Sequence, residues 1–203
     1  MRFSIGDHIS RRARLASAGG ATATVVLPAW AIGAARTHDG RLVAKDGTAM
    51  LFGGTRPPTA VWSYNGKVPG PEIRARQGDR LRVEVENKLG EETTVHWHGL
   101  RVPNAMDGVP HLTQRPIAPG ETFRYEFDLP DAGTYWYHPH QNGFEQVGRG
   151  LYGPLIVEER NPPKVDRDVT WVRDDWRLLK DAQISDDFGN RHDMSHSGRV
   201  GNT

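Results

Sequence analysis

Hydrophobic and polar residues alternate through the middle of this 203-residue chain with a period of two. In "RLRVEVENKL", Leu81, Val83 and Val85 alternate with charged residues, and in "TFRYEFDL" Phe123, Tyr125, Phe127 and Leu129 alternate with Arg124, Glu126 and Asp128. Successive strand side chains point to opposite faces, so both stretches predict half-buried β-strands with one wet side. Turn clusters separate such runs. "YNGKVPGPE", "RQGDR", "IAPGET" and "LPDAGT" combine glycine, which tolerates positive φ, with proline, which holds φ near −65°. Short strands with turn signals every ~8–12 residues predict an all-β Greek-key sandwich. "LYGPLIVEE" reads as its closing strand, and "RNPPK" as a linker that places a boundary near residue 160. Beyond it "DVTWVRDDWRLL" opens another alternating strand, and the polar "KDAQISDDFGNRHDMSHSGRVGNT" follows without a second core.

The first 35 residues read differently. "SRRARL" carries twin arginines, and "ASAGGATATVVLPAWAIGAA" is a weakly apolar, small-residue stretch with an Ala29-Trp30-Ala31 cleavage pattern. It resembles a twin-arginine export signal, although Arg14 stands where such signals prefer phenylalanine. A membrane-spanning helix needs about 20 predominantly apolar residues, and Pro28 with the glycines and threonines dilutes this one. Residues 1–35 are therefore expected to be a signal, 36–160 the first domain, and 161–203 a linker and the incomplete start of a second domain. Cleavage after Ala31 removes Arg2, Arg11, Arg12 and Arg14 against Asp7, which turns the net charge of +1 into −2. The remainder has no basic face with interleaved aromatics, so nucleic acid is excluded as a partner. No membrane association is expected once the signal is removed, and periplasmic or other exported localisation is expected.

Two histidine pairs carry the candidate chemistry. His96 and His98 in "TVHWHGLRVPNAMDG" share one strand face while Val95 and Trp97 share the other. The same parity groups Trp136, His138 and His140 in "GTYWYHPH", opposite Tyr135 and Tyr137. Pro139 has no N–H, which places the second pair at a sheet edge or a strand end, and two such edges meeting converge four imidazoles. Four neutral imidazoles suit copper or zinc. A cupin-type site also uses H-x-H but needs a glutamate soon afterwards, and "GLRVP" offers none. His38 and His111 read as surface residues, and His192 and His196, flanking Met194, as part of a polar tail.

"HWHGL", "MDGV", "TQRPIAPGETFRYEF", "AGTYWYHPH" and "GLYGPLIVEE" resemble, in order and spacing, the motifs of the first cupredoxin (plastocyanin-like) domain of multicopper oxidases, from about Ser63 to Glu159. "RDVTWVRDDWRLL" resembles the opening of that family's second domain. The resemblance implies a cupredoxin-type sandwich followed by the truncated start of another. It implies an oxidoreductase, laccase-like or metal-oxidase-like, in which one-electron oxidations of a phenol, amine or metal ion at a type 1 copper feed a trinuclear copper cluster that reduces O2 to water. It assigns His96 to the type 2 copper, His98 to one type 3 copper, and His138 and His140 to the type 3 pair. Asp107 becomes the carboxylate beside the type 2 copper that delivers protons and orients bound water; read alone, Asp107-Gly108 is also an ordinary turn signal.

Two departures stand out. Arg115 occupies a position that is cysteine in many plant and fungal relatives, and the glutamine that often follows the second H-x-H closely occurs here only as Gln146. More consequential, the chain contains no cysteine. A type 1 copper needs a thiolate beside two histidines, and the H-x-x-H-x-H and H-C-H motifs for the remaining ligands are also missing. The expectation is the N-terminal part of a longer oxidase, inactive alone and completed by missing C-terminal cupredoxin domains. The alternatives are a non-enzymatic periplasmic copper-binding module, or one chain of a pair that builds the cluster jointly.

Overall fold

A computed structural model describes residues 35–191 and 199–203. The expected export signal up to Ala34 and the histidines His192 and His196 lie outside the described residues. From Ala35 onward the chain forms one compact unit.

The strands are β1 (Thr37–Ala49), β2 (Thr59–Tyr64), β3 (Ile73–Arg76), β4 (Arg80–Asn87), β5 (His96–His98), β6 (Thr122–Asp128), β7 (Gly133–His138) and β8 (Gly153–Glu158). A short helix, α1 (Gly143–Gly148), joins β7 to β8. One sheet has the order β2-β1-β4-β6 and the other β3-β8-β7-β5. β1 runs parallel to β4 and β3 parallel to β8; the other pairings are antiparallel. The two sheets face each other across one core, the sandwich that the alternation predicts.

The alternating strands behave as expected. β4 turns Leu81, Val83 and Val85 inward, and β6 sets Phe127, Tyr125 and Phe123 directly opposite them. Their wet faces pair charge with charge: Arg80 and Arg82 both donate to Glu126. Each such exposed pair contributes only about 0–1 kcal/mol, so burial on the other side dominates.

Trp97 sets the orientation of β5. Its indole is fully buried, with ring centroids 5.4 Å from Tyr125 and 5.2 Å from Phe127 across the core. Burying roughly 200 Å² of aromatic surface at about 25 cal/mol per Å² is worth about 5 kcal/mol. A slip by one residue would expose Trp97 and turn the histidines into the core, so the packing selects one register. Gly153 does comparable work on β8, because a Cβ there would fall 2.2 Å from the Tyr137 hydroxyl, which donates to the Pro71 carbonyl at 2.7 Å.

Residues 161–203 depart from the expected pattern in one respect. "DVTWVRDDWRLL" forms no strand until the isolated bridge between Leu178 and Ile184. Its alternating Val169 and Trp171 stand 64% and 90% exposed. Strand geometry is stabilised by ladder hydrogen bonds, and among the described residues this segment reaches edge strand β3 through side chains, Arg74 donating to Asp168 at 2.7 Å, with no backbone ladder before Leu178. Further on, Leu178 and Ile184 pack with Val61 of β2 in a small apolar cluster of their own. Among the described residues, no helix is long and apolar enough to cross a membrane.

Candidate metal centre

The two histidine pairs meet on adjacent antiparallel strands of one sheet. β5 is an edge strand and β7 its inner neighbour, with His96 opposite His138 and His98 opposite Trp136. Because Trp97 and Tyr137 point into the core, His96, His98 and His138 emerge together on the opposite face. His140 follows two residues after β7 ends, and its ring centroid lies 4.4 Å from that of His96.

Among the described residues, the ligand-capable atoms of His96, His138 and His140 all lie within 4.8 Å of one another. The fourth histidine joins through another contact, His98 Nδ1 to His138 Nε2 at 3.2 Å. Hydrogen bonds assign which ring nitrogen each partner presents. His96 Nδ1 lies 2.7 Å from the Asp107 carbonyl oxygen, so Nδ1–H donates there and Nε2 keeps its lone pair for the centre. His138 Nδ1 likewise donates to the Pro139 carbonyl at 3.0 Å, leaving Nε2 toward His98.

Burial favours the uncharged form of His138 and His140. Desolvation pushes the His138 imidazole down to about 3, against the opposing pull of the Pro139 carbonyl, and the neighbouring histidines lower it further. His140 is also lowered, first by burial and then by His96. Both favour the neutral form that a metal ligand must have. Neutral imidazoles without thiolate or clustered carboxylates form a donor set that fits copper and zinc.

Asp107 stands where the motif predicts, at the end of a 3-10 turn (Asn104–Met106). Its carboxylate Oδ1 is 3.3 Å from His96 Nδ1, farther than its own carbonyl. Gly108 makes this approach possible. It has φ +75°, and a Cβ there would lie 1.9 Å from the Val95 carbonyl oxygen. Asp107 is thus both the turn residue and the partner of His96.

Several features were not legible in the sequence. Trp136 stacks on His138 with centroids 3.9 Å apart and lies 5.0 Å from His98, contacts that strand parity suggests but does not establish. A cavity of about 400 Å³ opens beside His138 and His140, bounded also by Trp136, Phe144, Asp174 and Arg177. Gln146 is fully buried and hydrogen-bonded to Thr93 at 2.7 Å. The expected surface histidines stay outside the centre: His111 is exposed, and His38 bonds Asp79 at 2.7 Å.

The family model described as multicopper oxidase matches residues 46–162, more than half of the chain. The chain belongs to the multicopper oxidase family. Among its relatives, multicopper oxidase MmcO of Mycobacterium tuberculosis is 42% identical over 149 residues, covering 70% of this chain and 28% of that protein. Copper resistance protein A of Pseudomonas syringae pv. tomato is 39% identical over 138 residues, covering 64% of this chain and 22% of that protein. The crystal structure of a multicopper oxidase from Pseudomonas thermotolerans superposes with a TM-score of 0.76 at 44% identity, over 82% of this chain and 40% of that one. The chain thus spans between about a fifth and two fifths of these relatives' lengths. Its sandwich is the cupredoxin fold of this family.

Proposed function

We infer that this chain is the N-terminal cupredoxin domain of an exported, O2-reducing multicopper oxidase, residues 36–160, followed by the opening of a second such domain. The observation that carries this reading is the convergence of two histidine pairs, with His98 Nδ1 3.2 Å from His138 Nε2 and His96, His138 and His140 grouped within 4.8 Å. The donor set fits copper, and His96, His98, His138 and His140 would hold it. By the resemblance of the two motifs to those of the family, His96 would hold the type 2 ion and the other three the type 3 pair. Bound copper supplies the one-electron chemistry that takes O2 to water.

The chain's own residues prepare the site. Trp97 and Tyr137 anchor the strands, so that the ligand rings are held on one face before any ion arrives. The Asp107 carbonyl fixes the His96 tautomer, and the Asp107 carboxylate, 3.3 Å from His96 Nδ1, holds a proton acceptor at the rim. Four histidines are half of the eight-ligand set of the family's trinuclear cluster. With no cysteine in this sequence, the type 1 copper and the choice among phenol, amine and metal-ion donors belong to further cupredoxin domains. This chain alone is expected to bind copper without turning over.

Titration of the 203-residue chain with Cu(II), followed by spin resonance and absorbance, tests the reading. Expected are copper uptake with nitrogen hyperfine structure and none of the intense blue absorption of thiolate-bound copper. Replacing His96 and His98 together by alanine is expected to abolish tight uptake; uptake equal to the parent would remove the ligand assignment.

A further inference from the structure

His140 differs from the other three histidines in that no β-ladder holds it. β7 ends at His138, and Pro139 has no N–H with which to extend the pairing. The His140 backbone N–H is received instead by the hydroxyl oxygen of Thr94 at 3.1 Å, and the same oxygen accepts the Gln141 N–H at 3.3 Å. Thr94 is fully buried and stands two residues before His96. One side-chain oxygen therefore ties the segment carrying His140 to the strand carrying His96.

A second tie lies on the far side of His140. Gln146, the buried residue of α1, accepts from the Thr93 hydroxyl at 2.7 Å. Its amide nitrogen donates to the Glu91 carboxylate at 2.6 Å and to the Glu92 carbonyl at 2.8 Å. The helix that begins three residues after His140 is thus fastened to the segment leading into β5. A buried amide satisfied on both its oxygen and its nitrogen resists sliding, because any shift leaves polar atoms unpaired.

These contacts lead us to propose that Thr94 is the positioning residue for His140: its hydroxyl sets the placement of His140 against His96, and with it the metal affinity, while Gln146 holds the base of the loop. The proposal rests on the reading of the four histidines as copper ligands. Losing a partner that orients a ligand costs roughly 10–100-fold in metal affinity, the scale expected here.

The test uses Thr94→Val and Thr94→Ser in the 203-residue chain, with Thr94→Ala in place of the valine variant should that fail to fold. In the metal-free protein, amide hydrogen exchange at His140 and Gln141 is expected to accelerate about 10-fold or more in Thr94→Val and to stay near the parent in Thr94→Ser, which keeps the acceptor. Cu(II) affinity is expected to fall by about 10–100-fold in Thr94→Val, to recover in Thr94→Ser, and to fall no further when Thr94→Val is added to His140→Ala. Unchanged exchange in Thr94→Val, or a copper loss that adds fully to that of His140→Ala, overturns the proposal. A parent chain that takes up no copper defeats the ligand reading instead, and the exchange measurement then still decides whether Thr94 holds the loop.

Discussion

His96 Nδ1 is closer to the backbone carbonyl of Asp107, at 2.7 Å, than to its carboxylate, at 3.3 Å. The ring is therefore oriented by a main-chain atom that substitution at position 107 does not remove. Asp107→Asn is expected to leave Cu(II) affinity within about 3-fold of the parent, whereas losing the orienting partner itself costs roughly 10–100-fold. Isothermal titration checks this, and a drop beyond 10-fold would show that the carboxylate orients the ring.

The turn beneath Asp107 depends on a residue without a side chain. At Gly108, φ is +75° and a Cβ would stand 1.9 Å from the Val95 carbonyl oxygen. Gly108→Ala is expected to destabilise the domain by about 3 kcal/mol, from backbone strain and the displacement of β5. Urea denaturation measures the loss; a change under 0.5 kcal/mol would mean that the turn adjusts freely.

The network behind α1 should also register in stability. Gln146→Leu leaves the Thr93 hydroxyl and the Glu91 carboxylate without their buried partner. The expected cost is about 1–3 kcal/mol in urea denaturation, despite similar side-chain volume. A neutral result would show that water replaces the amide.

Trp136 offers an optical report on the centre. It stacks on His138 at 3.9 Å, whereas Trp171 is 90% exposed. Copper at His138 should quench Trp136 emission, so Trp136→Phe is expected to remove more of the copper-dependent quenching than Trp171→Phe. Equal losses would place the ion elsewhere.

Acid should weaken the metal-free fold through His138. Its folded-state value is lowered to about 3, while the unfolded imidazole titrates near 6.5. Between these limits the unfolded chain binds more protons, so stability falls as pH drops from about 6.5 towards 3, by at most about 1.4 kcal/mol per pH unit. His138→Gln is expected to flatten the urea midpoint against pH over this window; parallel profiles for parent and variant would contradict the buried neutral imidazole.

Local patterns carried much of this architecture. The period-two alternation of β4 and β6 located their buried faces, and Val95-Trp97 against His96-His98 settled which side of β5 faces out, because strand parity is a local property. The same reasoning failed on "DVTWVRDDWRLL", where alternation is present but a strand is not. Alternation describes a side chain's preference for two faces, and a strand also needs a neighbour to bond.

The sequence by itself determined the two-sheet β class, the two outward-facing histidine pairs and the absence of any thiolate, since these follow from residue identity and strand parity. Only the tertiary structure decided that the pairs lie on neighbouring strands with His96 opposite His138, that Asp107 meets His96 through its carbonyl, and that Thr94 receives the His140 amide. These contacts join residues 11 to 46 positions apart. Register and loop closure across such separations come from how the whole core packs around Trp97, which no local pattern encodes.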